Sequence, residues 1–79
     1  YPNPFNPSTE IKFNLANSAD VKLTVFNARG QAVMNLKDEK MSKGLHTVNF
    51  DACSLNSGVY FYKLEANGRS ETKKMVLMK

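Results

Sequence analysis

The sequence has one cysteine, one histidine, no tryptophan and only two arginines. Each shortage removes a class of chemistry. With Cys53 alone, no intrachain disulfide and no cysteine-based metal site can form. A lone thiol of this kind reads as a small apolar packing group. His46 is the single imidazole, so a zinc site or a Ser-His-Asp constellation lacks its parts, and His46 reads as a strand residue half in a core. No tryptophan is present to serve as a sugar platform. The net charge of +4 comes from lysines, with Arg29 and Arg69 the only guanidinium groups. That is a weak profile for phosphate or base recognition, which favours the bidentate arginine fork, and nucleic acid is not an expected partner. No apolar run approaches the 18 or so residues that a transmembrane helix needs, and no signal peptide is visible.

Catalytic sets are also missing. The acids Glu10, Asp20, Asp38, Glu39, Asp51, Glu65 and Glu71 are scattered. Asp38 and Glu39 sit among lysines in "KDEK", which reads as a solvated charge cluster rather than a carboxylate pair. Neither a phosphate-cradling glycine loop, H-E-x-x-H nor G-x-S-x-G occurs. "NPS" at Asn6–Ser8 has proline in the middle, so it is not a glycosylation sequon. The expectation is a chain without enzymatic activity, cofactor or metal.

What the chain does have is period two. Ile11, Phe13 and Leu15 alternate with Lys12 and Asn14; Val21, Leu23 and Val25 alternate with Lys22 and Thr24. Such segments are half-buried strands. Further along, Ala32, Met34 and Leu36 share one parity, as do His46, Val48 and Phe50, and then Tyr60, Tyr62, Leu64 and Ala66. Val59 and Phe61 make the start of that last segment apolar on both sides, as in a central strand. The aromatic triplet Tyr60–Tyr62 is therefore divided between two faces and reads as packing. "ETKKMVLMK" closes the chain with a final apolar segment. The separators are turn chemistry: "ANSAD", "NARGQ" with Gly30 suited to positive φ, a longer polar loop over Lys37–Gly44, "LNSG" ending at Gly58, and the Asn67-Gly68 hairpin signal. No stretch carries helical period. A chain of 79 residues supports one small domain. The pattern predicts an all-β, immunoglobulin-like or fibronectin-like antiparallel sandwich of about six to seven strands. Its expected core is Ile11, Phe13, Leu15, Val21, Leu23, Val25, Val48, Phe50, Tyr60, Tyr62 and Leu64.

The first residues, "YPNPFNP", are different. Pro2, Pro4 and Pro7 lack N–H donors, and each pushes the residue before it toward extended conformations. Residues 1–8 are expected to form a stiff linker and blocked edge, and residues 9–79 the sandwich. A chain opening on Tyr1 rather than Met suggests the last piece of a longer protein.

In order, "YPNPFNPSTEIKFNL", "VKLTVFNARGQAV", "GLHTVNFDACSLNSGVYFYKLEA" and "ETKKMVLMK" resemble the C-terminal sorting domain of type IX (Por) secretion cargo proteins. The carrying residues are Pro2, Asn3, Pro4, Phe5, Asn6 and Pro7 of the leader, the Gly30 turn, the step from Ser57 and Gly58 into Val59 and Tyr60, and the Lys-Lys-Met-Val-Leu close. Leu45 departs from the charged residue common there, and Cys53 lies in a variable stretch. The same leader and sandwich are similar to the Ig-like domain of flagellar hook-capping proteins. The sorting resemblance implies a signal that directs a larger cargo through the periplasm and across the outer membrane of a Bacteroidetes-type bacterium. It implies as partners the outer-membrane translocon, a sortase-like peptidase and the cargo on the N-terminal side. It also implies removal of the domain near Tyr1 and exchange for a lipopolysaccharide anchor at the cell surface. The candidate recognition residues are Lys73, Lys74, Met75, Val76, Leu77, Met78 and Lys79. Two alternatives stay open: a carbohydrate-binding accessory module and a structural Ig-like spacer.

Overall fold

A computed structural model describes residues 8–51 and 55–78. The proline-rich leader up to Pro7, Cys53 and Lys79 lie outside the described residues. Among the described residues six strands follow one another without a helix: β1 (Ser8–Leu15), β2 (Ala19–Asn27), β3 (Ala32–Met41), β4 (Gly44–Asp51), β5 (Gly58–Ala66) and β6 (Arg69–Leu77). They form two antiparallel sheets, one of two strands in the order β1-β4 and one of four in the order β3-β2-β5-β6. The chain passes between sheets after β1, β3 and β4, so the layers are woven together rather than stacked as separate hairpins.

The alternation in the sequence sets the core. Ile11, Phe13 and Leu15 of β1 pair across with Val48, His46 and Gly44 of β4, and their side chains face the larger sheet. Opposite them Val21, Leu23 and Val25 of β2 are sealed from solvent, as is Phe50 of β4. The Phe13 and His46 rings lie 5.6 Å apart, tilted by 30°. His46 thus packs its ring on the core edge while Nε2 reaches the Ser42 carbonyl at 2.6 Å.

Two strands cannot cover four. β2 is fully buried on its inner face, but β5 is not. Tyr60 is buried, whereas Tyr62 and Leu64, expected in the core, are only half-buried and pack at its margin. Tyr62 lies opposite Lys73 and Leu64 opposite Glu71, so the inner face turns polar toward the β6 edge.

β3 departs most from expectation. Lys37–Met41 continue the strand, and only Ser42 and Lys43 separate it from β4. Edge pairing needs backbone bonds, not an apolar face. Asp20, Val21, Lys22 and Leu23 accept Lys40, Glu39, Asp38 and Lys37 as ladder partners. Two register shifts interrupt the same ladder, at Leu23/Thr24 and Val25/Phe26. An extra residue on one strand turns the following side chains over. Met34 and Leu36 therefore both reach the core, but Ala32 lands opposite Phe26 on the outer face and is exposed.

The turns follow their residues. Asn67 (φ 53°) and Gly68 (φ 74°) both take positive φ between β5 and β6, as a type I′ hairpin requires. Between β2 and β3, Gly30 sits at φ 84° and donates its N–H to the Asn27 carbonyl at 2.9 Å. The Asn27 side chain closes this hairpin. Its Oδ1 accepts from the N–H groups of Arg29 and Gln31, both at 3.0 Å, and its Nδ2 donates to Gln31 Oε1 at 2.9 Å.

Candidate functional site

β6 is the edge strand of the large sheet, hydrogen-bonded to β5 on one side and, among the described residues, to no strand on the other. Its alternation is resolved by the register. Met75 opposes Tyr60 and Leu77 opposes Gly58, so these two point inward; Leu77 is 8% exposed and Met75 half-buried. Val76 and Met78 point outward and are 55% and 68% exposed. Lys73 and Lys74, adjacent in sequence, fall on opposite faces. Lys73 pairs with Tyr62 on the inner side, and Lys74 pairs with Phe61 on the outer side. Both are exposed, and among the described residues neither has a carboxylate within ion-pair distance. The strand is thus fastened by Leu77 and Met75 while it presents two unpaired ammonium groups and two apolar side chains to solvent.

Gly58 opens β5 opposite Leu77, at φ 154°. Just beyond it, Tyr60 sends its hydroxyl back to the Asn56 carbonyl at 2.8 Å. A tyrosine early in a strand that bonds to the backbone a few residues upstream is the tyrosine corner of immunoglobulin-like sandwiches. Sequence reasoning assigned Tyr60 to packing and missed this bond; its signal was a Tyr two residues after a Ser-Gly turn.

Among the described residues no convergent catalytic set lines the clefts. One, of about 540 Å³ near the Asn67-Gly68 hairpin, is lined by Asp20, Asp38 and Glu65 against Lys22, Lys63 and Arg69, an exposed and charge-balanced rim. Among the described residues, no group of three His, Cys, Asp or Glu is placed to hold a metal ion. In the same residues no helix is long and apolar enough to cross a membrane.

The topology and the tyrosine corner define a small immunoglobulin-like sandwich. Residues 1–78 match the family model of the secretion system C-terminal sorting domain (Por_Secre_tail), and the chain belongs to that family. No curated protein and no solved structure matches the chain, and the similarity to hook-capping proteins finds no support in these comparisons. The family is that of a C-terminal signal for type IX secretion, which implies an attached cargo and a destination at the cell surface or outside the cell. It is not a catalytic family. Gly30 and Gly58, matched by resemblance, occupy the two turn positions just described, and the leader residues Pro2 to Pro7 lie outside the described ones.

Proposed function

We propose that the outer-membrane translocon reads this domain through β6, after the cargo has entered the periplasm by a separate signal. The observation that carries the proposal is the edge position of β6, with Lys73, Lys74, Val76 and Met78 exposed on it. An edge strand offers main-chain donors and acceptors for affinity and alternate side chains for specificity. Lysines on such an edge also oppose self-pairing before the partner arrives. Lys79, beyond the strand, is assigned to the same address. The leader, Tyr1–Pro7, is proposed as the handover from cargo, where a sortase-like peptidase removes the domain and an anchor replaces it.

The accessory-module reading needs an exposed aromatic platform on the Tyr60–Tyr62 strand. Tyr60 is buried, Tyr62 is half-buried on the inner side, and Phe61, the one ring of the triplet on the outer side, is half-buried too, so the triplet does not offer one. The experiment is direct. Residues 1–79 are fused behind a reporter carrying a periplasmic export signal and expressed in a type IX-competent bacterium. Surface or extracellular reporter is expected. Reporter held in the periplasm overturns the proposal.

A further inference from the structure

The outer face of the four-stranded sheet is divided in two. Toward the Asn67-Gly68 hairpin it is polar: Lys22, Lys63, Glu65, Ser70 and Thr72 occupy neighbouring ladder positions, and Lys63 pairs with Glu65 at 3.4 Å. Toward the Asn27–Gln31 hairpin it is apolar. Phe26 pairs directly with Phe61, Ala32 flanks Phe26, and Val59 pairs with Val76 in the next row. Val33, the extra residue of a β3 bulge, is 37% exposed beside them. The bulged edge also leaves a groove of about 450 Å³ lined by Phe26, Ala32, Val33 and Met34, with Lys22 and Glu65 at its polar end. Phe26 and Phe61 are half-buried, and neither belongs to the core cluster. Apolar side chains scattered over a solvated face need no explanation, but a contiguous stripe bordered by polar rows marks a contact surface.

Among the described residues the stripe contains one charge. Lys74 stands on β6 between Phe61, its ladder partner, and Val76 two residues on. Among the described residues it has no ion-pair partner. A second copy of the same face would set Lys74 against Lys74 or leave it desolvated, which disfavours self-association. The charge selects instead for a surface with a carboxylate set in an apolar wall.

We infer that the outer face of β2, β5 and β6, with Phe26, Phe61, Val76 and Lys74, is the docking surface for a protein partner that presents an apolar ridge with a carboxylate beside it. This rests on the sorting reading and refines it. β6 carries its address residues on two faces, and on the outer one Lys74 and Val76 make this contact, which Lys73, on the inner side, does not reach.

The test uses the full chain fused to the same exported reporter, with Lys74→Glu, Lys74→Arg, Val76→Asp and Lys73→Glu compared. All three positions are exposed, and thermal melting of each purified chain checks folding. Loss of a central contact residue should lower surface reporter about tenfold for Lys74→Glu and Val76→Asp. Lys74→Arg keeps the charge and should stay within about twofold of the parent, and Lys73→Glu, off this face, should lower surface reporter less than Lys74→Glu. If Val76→Asp fails to fold, Lys74→Glu decides alone. Lys73→Glu as damaging as Lys74→Glu overturns the one-faced contact. Wild-type reporter left in the periplasm defeats the sorting reading itself, whereas wild-type export with unimpaired Lys74→Glu defeats only this inference. Two binding measurements separate other occupants. Flotation of the purified chain with phosphatidylglycerol vesicles, abolished by Lys74→Glu, would assign the face to a membrane. A concentration-dependent dimer in sedimentation, abolished by Val76→Asp, would assign it to a second copy. Either result overturns the protein partner.

Discussion

The Tyr60 hydroxyl donates to the carbonyl of Asn56 at 2.8 Å, four residues upstream. The bond spans the connection into β5 and holds the chain against the strand just where it crosses from the small sheet to the large one. Tyr60 is buried, so the ring packs while its tip reaches an edge. Tyr60→Phe keeps the ring and removes the bond. It should cost about 0.5–1.5 kcal/mol, toward the lower end because the exposed Asn56 carbonyl regains water. Urea unfolding with an unchanged slope checks this. A variant as stable as the parent would show that the corner is held by packing alone.

Phe50 is the largest of the fully buried side chains. It comes from the small sheet, and the core cluster it joins includes Val21, Leu23 and Val25 of the large one. Truncation to Ala leaves a cavity at the layer interface and should cost about 3–5 kcal/mol. In a domain of this size that is a large share of total stability. The expected result is an unfolded or partly unfolded chain at room temperature by circular dichroism. A cooperative transition close to that of the parent would mean the core collapses around the loss.

Asn27 organises the β2–β3 hairpin through both ends of its amide. Asn27→Ala releases two backbone N–H groups to solvent and should cost about 1 kcal/mol. Asn27→Asp retains the accepting oxygen and loses only the bond to Gln31, so it should lie between parent and Ala. Chemical denaturation of the three proteins gives the order. Equal losses for Asp and Ala would assign the turn's stability to the Gln31 contact.

Much of this fold was legible because side-chain parity is a local property. The alternation of Ile11, Phe13 and Leu15, or of Val21, Leu23 and Val25, needs only a covering layer to become burial. What parity cannot show is how wide that layer is. Tyr62 and Leu64 have the same pattern as Tyr60 but stand where the two-stranded sheet runs out. Bulges are equally hidden, since the extra residue at Val33 is visible only against its partner strand, and it moves Ala32 to the other face. The charged tail of β3 read as a loop because edge strands can pair through backbone alone. At the candidate site, the sequence left open which of two apolar pairs, Met75 and Leu77 or Val76 and Met78, is buried; the register with Tyr60 and Gly58 selects the first.

The β6 lysines allow the address to be separated from the fold. Lys73 and Lys74 are exposed and contribute no ion pair among the described residues, and exposed charges carry about 0–1 kcal/mol each even when paired. Replacing Lys73, Lys74 and Lys79 together with Gln should therefore leave melting close to the parent. Strand propensity changes little, and Leu77 and Met75 still anchor the edge. Export of a fused cargo should nonetheless fall, with cargo accumulating in the periplasm, because the partner loses the charges that orient it on the strand. Deleting Met75–Lys79 should stop export more completely, but it also removes the buried Leu77 and uncovers the core, so it reports folding and recognition together. The triple Gln variant is the cleaner measurement. Cell fractionation beside a thermal melt gives both readouts on one protein. If that variant is folded and exported at the parental level, the translocon does not read the lysines of β6, and the address lies on another surface of the sandwich.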